Sequence, residues 1–199
     1  MMDRHVGEIT ALLKKLGLYQ NTLMFFTSDN GAAKRFDGIH NSSGVMQGKK
    51  RSLNEGGIRV PMVVRWPGKI KAGRVSSHPW YFPDVMPTFA EIGGVSTEVP
   101  EDIDGISILP TLLDKGVQKQ HEYMFWQYGV RAVRSGKWKG IGKGGHLYLY
   151  DLSKDIEEKN DLSSKHPEIA ARMKKYITIG YREPRSQKDD GKYTGKDKK

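Results

Sequence analysis

The chain has 199 residues, of which 37% are hydrophobic, and a mean hydropathy of −0.62, enough for one good core plus a smaller annex and no membrane span. The absence of cysteine excludes disulfides, thiolate metal sites and a cysteine nucleophile. The formal charge of +10 admits nucleic acid as a partner, but no nucleic-acid motif accompanies it, and a protein that handles an anionic substrate accounts for the charge equally well.

Met1-Met2-Asp3-Arg4-His5 opens an amphipathic pattern rather than an unbroken apolar stretch, so no signal peptide is read. Asp3 is placed to cap a helix whose apolar residues Val6, Ile9, Leu12, Leu13 and Leu16 follow a helical period, with Lys14, Lys15 and Gly17 at its end. Thr22–Thr27 is a strand apolar on both faces, which suits a parallel sheet covered by helices. Gly31 to Gly57 is glycine-rich, polar and without period, a long loop of the kind that is functional or mobile. A second strand spans Pro61–Trp66 and is closed by Pro67-Gly68. Asp84 is placed to cap a helix over Val85–Ile92, with Gly93-Gly94 ending it.

After Leu113 the character changes. Tyr123–Gln127, Val130–Arg134, Trp138–Ile141 and Leu147–Tyr150 are short strands between glycine-bearing turns, the spacing of an antiparallel meander. Pro167–Ile179 is an amphipathic helix with Ile169, Met173, Tyr176 and Ile177 on one side. Residues 185–199 carry six basic and three acidic side chains and almost nothing apolar, a composition of disorder. The expected division is 1–113, then 114–182, then a basic tail over 183–199.

Two segments carry chemistry. At the end of the first strand, Asp29-Asn30-Gly31 puts a carboxylate and an amide carbonyl where open α/β sheets place ligands, and both are hard oxygen donors suited to calcium or magnesium. Asn30-Gly31 also reads as a tight turn with Asp29 accepting backbone bonds. The second segment, Gly48-Lys49-Lys50-Arg51 through Glu55-Gly56-Gly57-Ile58-Arg59-Val60-Pro61, combines paired glycines with lysines able to present a compact cation to a tetrahedral anion. A solvated basic loop is its alternative reading. His40 lies between the two segments, within reach of a substrate or simply packed on the loop. Glu101-Asp102-Ile103-Asp104 reads as a solvated loop.

In order along the chain, these segments resemble the sulfatase family of the alkaline phosphatase superfamily. The resemblance rests on Asp29-Asn30-Gly31 and on Lys50 five residues ahead of Glu55-Gly56-Gly57-Ile58-Arg59-Val60-Pro61. It extends through Trp66-Pro67-Gly68, Asp84-Val85-Met86-Pro87-Thr88, Asp104-Gly105-Ile106-Ser107, Gly136-Lys137-Trp138-Lys139 and Leu149-Tyr150-Asp151-Leu152. It implies an α/β fold: the C-terminal portion of an alkaline-phosphatase-like sheet with flanking helices, followed by a small antiparallel β-sheet packed with a helix. Matched by position, Asp29 and Asn30 close the calcium site (magnesium in some relatives), and Lys50 contacts the sulfate group, with Lys49 the alternative one residue away. Glu55 and Arg59 hold the loop and strand in place.

The family's nucleophile is a formylglycine made within Cys/Ser-X-Pro/Ala-X-Arg. No cysteine is present, and Ser77-His78-Pro79-Trp80-Tyr81 lacks the arginine. The family's early aspartate pair and its N-terminal lysine and histidines have no counterpart. The expectation is therefore the second half of a metal and sulfate site that hydrolyses sulfate esters in a complete enzyme, with a sulfated small molecule or glycan as substrate. The missing N-terminal half or self-association are the expected protein partners, and neither membrane nor nucleic acid is expected. Complete relatives are periplasmic or secreted. An inactive remnant or interaction module, and a phosphate-ester or phosphonate hydrolase of the same superfamily, are the alternatives.

Overall fold

A computed structural model describes residues 1–36 and 39–182, so the expected tail over 183–199 lies outside the described residues. Two compact units are present: Met1–Thr27 with Pro61–Gln120, and Ser28–Val60 with the described residues from His121 onward.

The first unit begins with α1 (Met2–Lys15). Asp3 lies inside its first turn and Met1 is the N-cap, so the expected capping role falls away. A carboxylate there still complements the helix dipole, as Lys14 and Lys15 do in the last turn. Strands β1 (Met24–Thr27) and β2 (Met62–Arg65) pair antiparallel, with Phe25 opposite Val64 and Phe26 opposite Val63. This corrects the expectation of a parallel sheet. An apolar run records which faces are greasy but not which way the neighbouring strand runs. Phe25 stacks edge-on against Trp80 and Phe89, whereas Phe26 and Val63 are exposed.

Helix α3 (Val85–Gly93) follows a 3₁₀ turn at Phe82–Asp84 and ends at Gly94 in the left-handed conformation. Here too the expected cap is corrected, because Asp84 makes no side-chain bond to the helix it precedes. Its fully buried carboxylate instead accepts the Tyr81 N–H at 3.0 Å and the Ile106 N–H at 2.9 Å. Thr88 Oγ1 then donates to the Asp84 carbonyl at 2.6 Å and accepts the Ile108 N–H at 3.0 Å, just ahead of α4 (Leu109–Leu113). For this chain α2 is the short helix Glu55–Ile58 in the second unit.

The second unit is built on the expected meander: β3 (Met124–Tyr128), β4 (Val130–Ser135), β5 (Trp138–Lys143) and β6 (His146–Asp151), antiparallel and in sequential order. Alternation along the strands gives the sheet two apolar faces. One carries Val133, Leu147 and Leu149 against Ala170, Met173 and Tyr176 of α5 (Pro167–Ile179). The other carries Ala132, Ile141 and Tyr150 against Leu53 and Ile58, so the glycine-rich segment is the sheet's second cover.

Two carboxylates pin the ends of β6. Burial pushes Asp151 up, but Lys137 Nζ at 2.8 Å and the Ser153 hydroxyl and amide outweigh it and hold the group at about 2. Asp161 is likewise held at about 2: burial is outweighed by His146 at 2.8 Å and the N–H groups of Leu149 and Ser163. A depressed carboxylate contributes stability that is present above its unfolded value and lost as pH falls toward its folded value. The C-terminal sheet is therefore expected to lose roughly 1–2 kcal/mol per group between about pH 4 and pH 2. Urea midpoints followed by circular dichroism should fall over that window, and the slope should flatten in Asp151→Asn. An unchanged slope in that variant would refute the assignment.

Candidate functional site

The residues singled out from the sequence, Asp29, Asn30, His40 and Lys50, all belong to the second unit. Immediately after β1 the chain turns at Ser28-Asp29-Asn30, with Ser28 Oγ donating to the Asn30 carbonyl at 2.9 Å. Two backbone bonds then sew this corner to the glycine-rich loop. Gly31 N–H donates to the Gly57 carbonyl at 2.9 Å, and Lys50 N–H donates to the Ala32 carbonyl at 2.8 Å.

Three glycines make that approach possible. A Cβ on Gly31 would overlap the carbonyl of Gly56 and stand 2.9 Å from Gly57 Cα. One on Gly56 would meet the carbonyls of Gly48 and Gln47, and one on Gly57 those of Ser52 and Lys49. The obstacles are backbone atoms, which cannot swing aside as side chains do. The paired glycines therefore serve close packing of main chain on main chain.

Within this frame Asp29 and Lys50 are exposed and Asn30 is half-buried. Lys49 is half-buried and engaged in an interaction of its own, whereas Lys50 projects to solvent next to Arg51, a non-glycine residue in the left-handed region at φ 78°. His40 is exposed, its carbonyl accepting the Ser42 N–H at 2.6 Å, and it makes a further interaction of its own. The structure thus brings Asp29-Asn30 and Lys50 onto adjoining segments, with His40 on the stretch between them in sequence.

As a metal corner, Asp29 and Asn30 have the right donor chemistry, since a carboxylate and an amide carbonyl are the oxygens calcium and magnesium prefer. They offer two of the roughly six to eight donors calcium takes. Among the described residues, no group of three or more His, Asp or Glu side chains converges to complete the shell.

Sequence reasoning missed what lies beneath the glycines. Lys139 of β5 is 0% exposed, and its ammonium sits 2.7 Å from Glu55 Oε1 and 3.0 Å from Glu158 Oε1. The residues Glu55 and Glu158 are each 2% exposed. The Glu158 Oε1 contact is off the hydrogen-bonding direction, while Oε2 of the same group accepts the Glu55 N–H at 2.7 Å. Gln47 Nε2 donates to the Glu158 carbonyl at 3.1 Å. Arg59 lies 3.7 Å from Glu55 on the solvent side.

Neighbours on the same face feel this cluster. Burial pushes the Tyr150 phenol up to about 12, with Glu158 reinforcing it. Burial lowers Arg134, Glu55 works against that shift, and Arg59 adds to it. The anticipated holding role of Glu55 is thereby given its partner, a lysine distant in sequence.

A family model described as Sulfatase matches residues 1–95. The mouse (Mus musculus) steryl-sulfatase is 41% identical over 153 residues, covering 70% of this chain and 24% of that protein. The N-acetylgalactosamine-6-O-sulfatase of Bacteroides thetaiotaomicron is 32% identical over 207 residues, covering 88% of this chain and 39% of that protein. Among solved structures, one from work on glycosaminoglycan metabolism by Bacteroides thetaiotaomicron superposes with a TM-score of 0.75 at 30% identity, over 90% of this chain and 42% of that one. Another, Ps i-CgsB in complex with k-i-k-neocarrahexaose, gives 0.75 at 32% identity over 89% of this chain and 40% of that one. The chain spans roughly a quarter to two fifths of the length of these curated relatives.

Proposed function

The chain belongs to the sulfatase family and folds as the C-terminal portion of its alkaline-phosphatase-like architecture, and from that premise we propose that it carries the cationic side of a sulfate-ester hydrolase site. The observation that supports this reading is the pair of backbone bonds joining the Asp29-Asn30 corner to the Lys50 loop. In it, Lys50 is the cation that meets the sulfuryl oxygens. Asp29 and Asn30 are two ligands of a divalent cation, calcium or magnesium, which when bound neutralises charge on the same group. Lys50 is preferred over Lys49 because its side chain projects from the loop while Lys49 is engaged.

The substrate class follows the relatives' printed activities: a sulfated sterol or aryl compound, or a sulfated sugar. His40, on the stretch between the two segments, is given no substrate contact in this reading. These 199 residues contain no cysteine for a formylglycine, so the chain alone is expected to turn over a chromogenic aryl sulfate at the background rate. Turnover above background that disappears in Lys50→Ala would overturn that expectation.

Binding tests the site directly. With about two protein oxygens on the metal, calcium affinity should be weak, on the order of millimolar. Amide resonances of residues 28–31 should shift on calcium addition and stop shifting in Asp29→Ala. Resonances of Lys50 should respond to inorganic sulfate and lose that response in Lys50→Met. Calcium or sulfate shifts that ignore these substitutions would defeat the reading. No helix among the described residues is long and apolar enough to cross a membrane.

A further inference from the structure

The corner and the Lys50 loop are held together by main-chain contacts, but nothing in those contacts fixes the loop to a rigid body. A four-residue helix, Glu55–Ile58, is too short to be stable by itself. What seats it is the face of the C-terminal sheet. Leu53 and Ile58 pack against Ala132, Ile141 and Tyr150, and the buried charges lie in the middle of this contact. Lys139 is on β5 directly opposite Arg134 of β4 and Tyr150 of β6, the interior of a fully paired sheet.

The charge arithmetic makes Lys139 decisive. Two carboxylates with almost no access to water face one ammonium, with Arg59 3.7 Å from Glu55 on the open side and Arg134 also acting on Glu55. Removing the ammonium leaves two buried negative charges facing each other, a strongly destabilising arrangement relieved by proton uptake or by opening a path to water. Because β5 is bonded on both edges, the parts able to open are the segments bearing Glu55 and Glu158, and the glycine-rich loop moves with the first of them. Glu158 adds a second sign of constraint: it holds the left-handed backbone region at φ 53°, which a non-glycine residue keeps only where its surroundings demand it. From that position its carboxylate receives the first amide of the short helix and its carbonyl receives Gln47.

We propose that Lys139, bridging Glu55 and Glu158, is a positioning residue through which the C-terminal sheet fixes the glycine-rich loop, and with it Lys50 and the Asp29-Asn30 corner, in the arrangement that meets substrate. The chain of contacts is continuous: Lys139 to Glu55, Glu55 to Gly56 and Gly57, Gly57 to Gly31, and Ala32 back to Lys50. The C-terminal sheet is on this view part of the working site although none of its residues touches the sulfate. The functional half of the proposal rests on the sulfate reading given above; the mechanical half does not.

Amide hydrogen exchange by NMR on the whole chain tests it. In Lys139→Met, the amides of Gly31, Lys50 and Gly56 should exchange faster by about a hundredfold, while amides paired between β4 and β5 keep their protection. Glu158→Gln, a milder change that leaves one ammonium facing one carboxylate, should accelerate the same three by about tenfold. The Lys50 shift on adding inorganic sulfate is read in parallel and should need about tenfold more sulfate in either variant, under conditions where the sheet remains fully folded. Loop-selective acceleration together with the weakened sulfate response supports the proposal in full. Loop-selective acceleration with no sulfate response even in the parent chain keeps the latch and defeats the sulfate reading. Acceleration shared equally by sheet and loop, or absent from the loop in both variants, overturns the latch.

Discussion

Alanine at Gly31 is expected to cost about 3 kcal/mol or more and to separate the Asp29-Asn30 corner from the Lys50 loop. The added carbon would overlap the Gly56 carbonyl oxygen and crowd Gly57 Cα, all main-chain atoms of a segment itself wedged against the carbonyls of Gly48, Gln47, Ser52 and Lys49. No side-chain rotation relieves that contact. The relief available is to move the corner outward, which breaks the Gly31 N–H bond to the Gly57 carbonyl and strains the Lys50 N–H bond to Ala32. The signature is thus local as well as global. Urea denaturation should show a lower midpoint, and the calcium-dependent shifts at residues 28–31 should vanish even where the protein is still folded. Gly7, with nothing within 4 Å of an added Cβ, is the control, and alanine there should be neutral or slightly stabilising through helix propensity. Equal stability for the Gly31 and Gly7 variants would show that the backbone contact is softer than its geometry implies.

Much of this was legible from the residues in order, and the reason is locality. The final helix over Pro167–Ile179 and the four-strand meander follow from period and turn chemistry within a few residues, and the structure reproduces both. The direction of strand pairing was not legible. Phe25 and Phe26 are equally apolar in the sequence, yet one packs on Trp80 and Phe89 while the other faces outward. Nor was the Lys139 cluster. A lysine alternating with Trp138 and Gly140 on a short strand looks like a solvent-facing residue, and its carboxylate partner Glu55 lies 84 positions away. The resemblance gave Glu55 a holding role but no cation to hold it, and a buried carboxylate needs one. The same limit explains the glycine-rich segment, which reads as an unsupported loop until the apolar face of a sheet assembled much later in the chain is there to receive Leu53 and Ile58.

Asp84 shows how a correct local signal can point to the wrong partner, and it carries the second large effect. Placed just before a helical pattern, an aspartate is expected to bond the first amides of that helix. Here the fully buried carboxylate turns away and receives the amides of Tyr81 and Ile106, two groups from separate segments. Gly105 lets the second segment come this close, since a Cβ there would overlap the Pro83 carbonyl. Asp84→Ala removes both acceptors at once and leaves the donors unsatisfied, which should cost about 3–5 kcal/mol. Asp84→Asn retains one carbonyl oxygen but sets an amide N–H against a backbone N–H, and about half the loss is expected. The effect belongs to the first unit, so exchange at Ile106 and Ile108 should accelerate first, Ile108 through the loss of Thr88 as its acceptor when the Asp84 carbonyl shifts. Amides of β4 and β5, in the other unit, report whether the damage spreads. If Asp84→Asn proves as costly as Asp84→Ala, the carboxylate charge matters more than the count of acceptors; if both are mild, the amides of Tyr81 and Ile106 reach water and the buried clamp described here does not hold the segment.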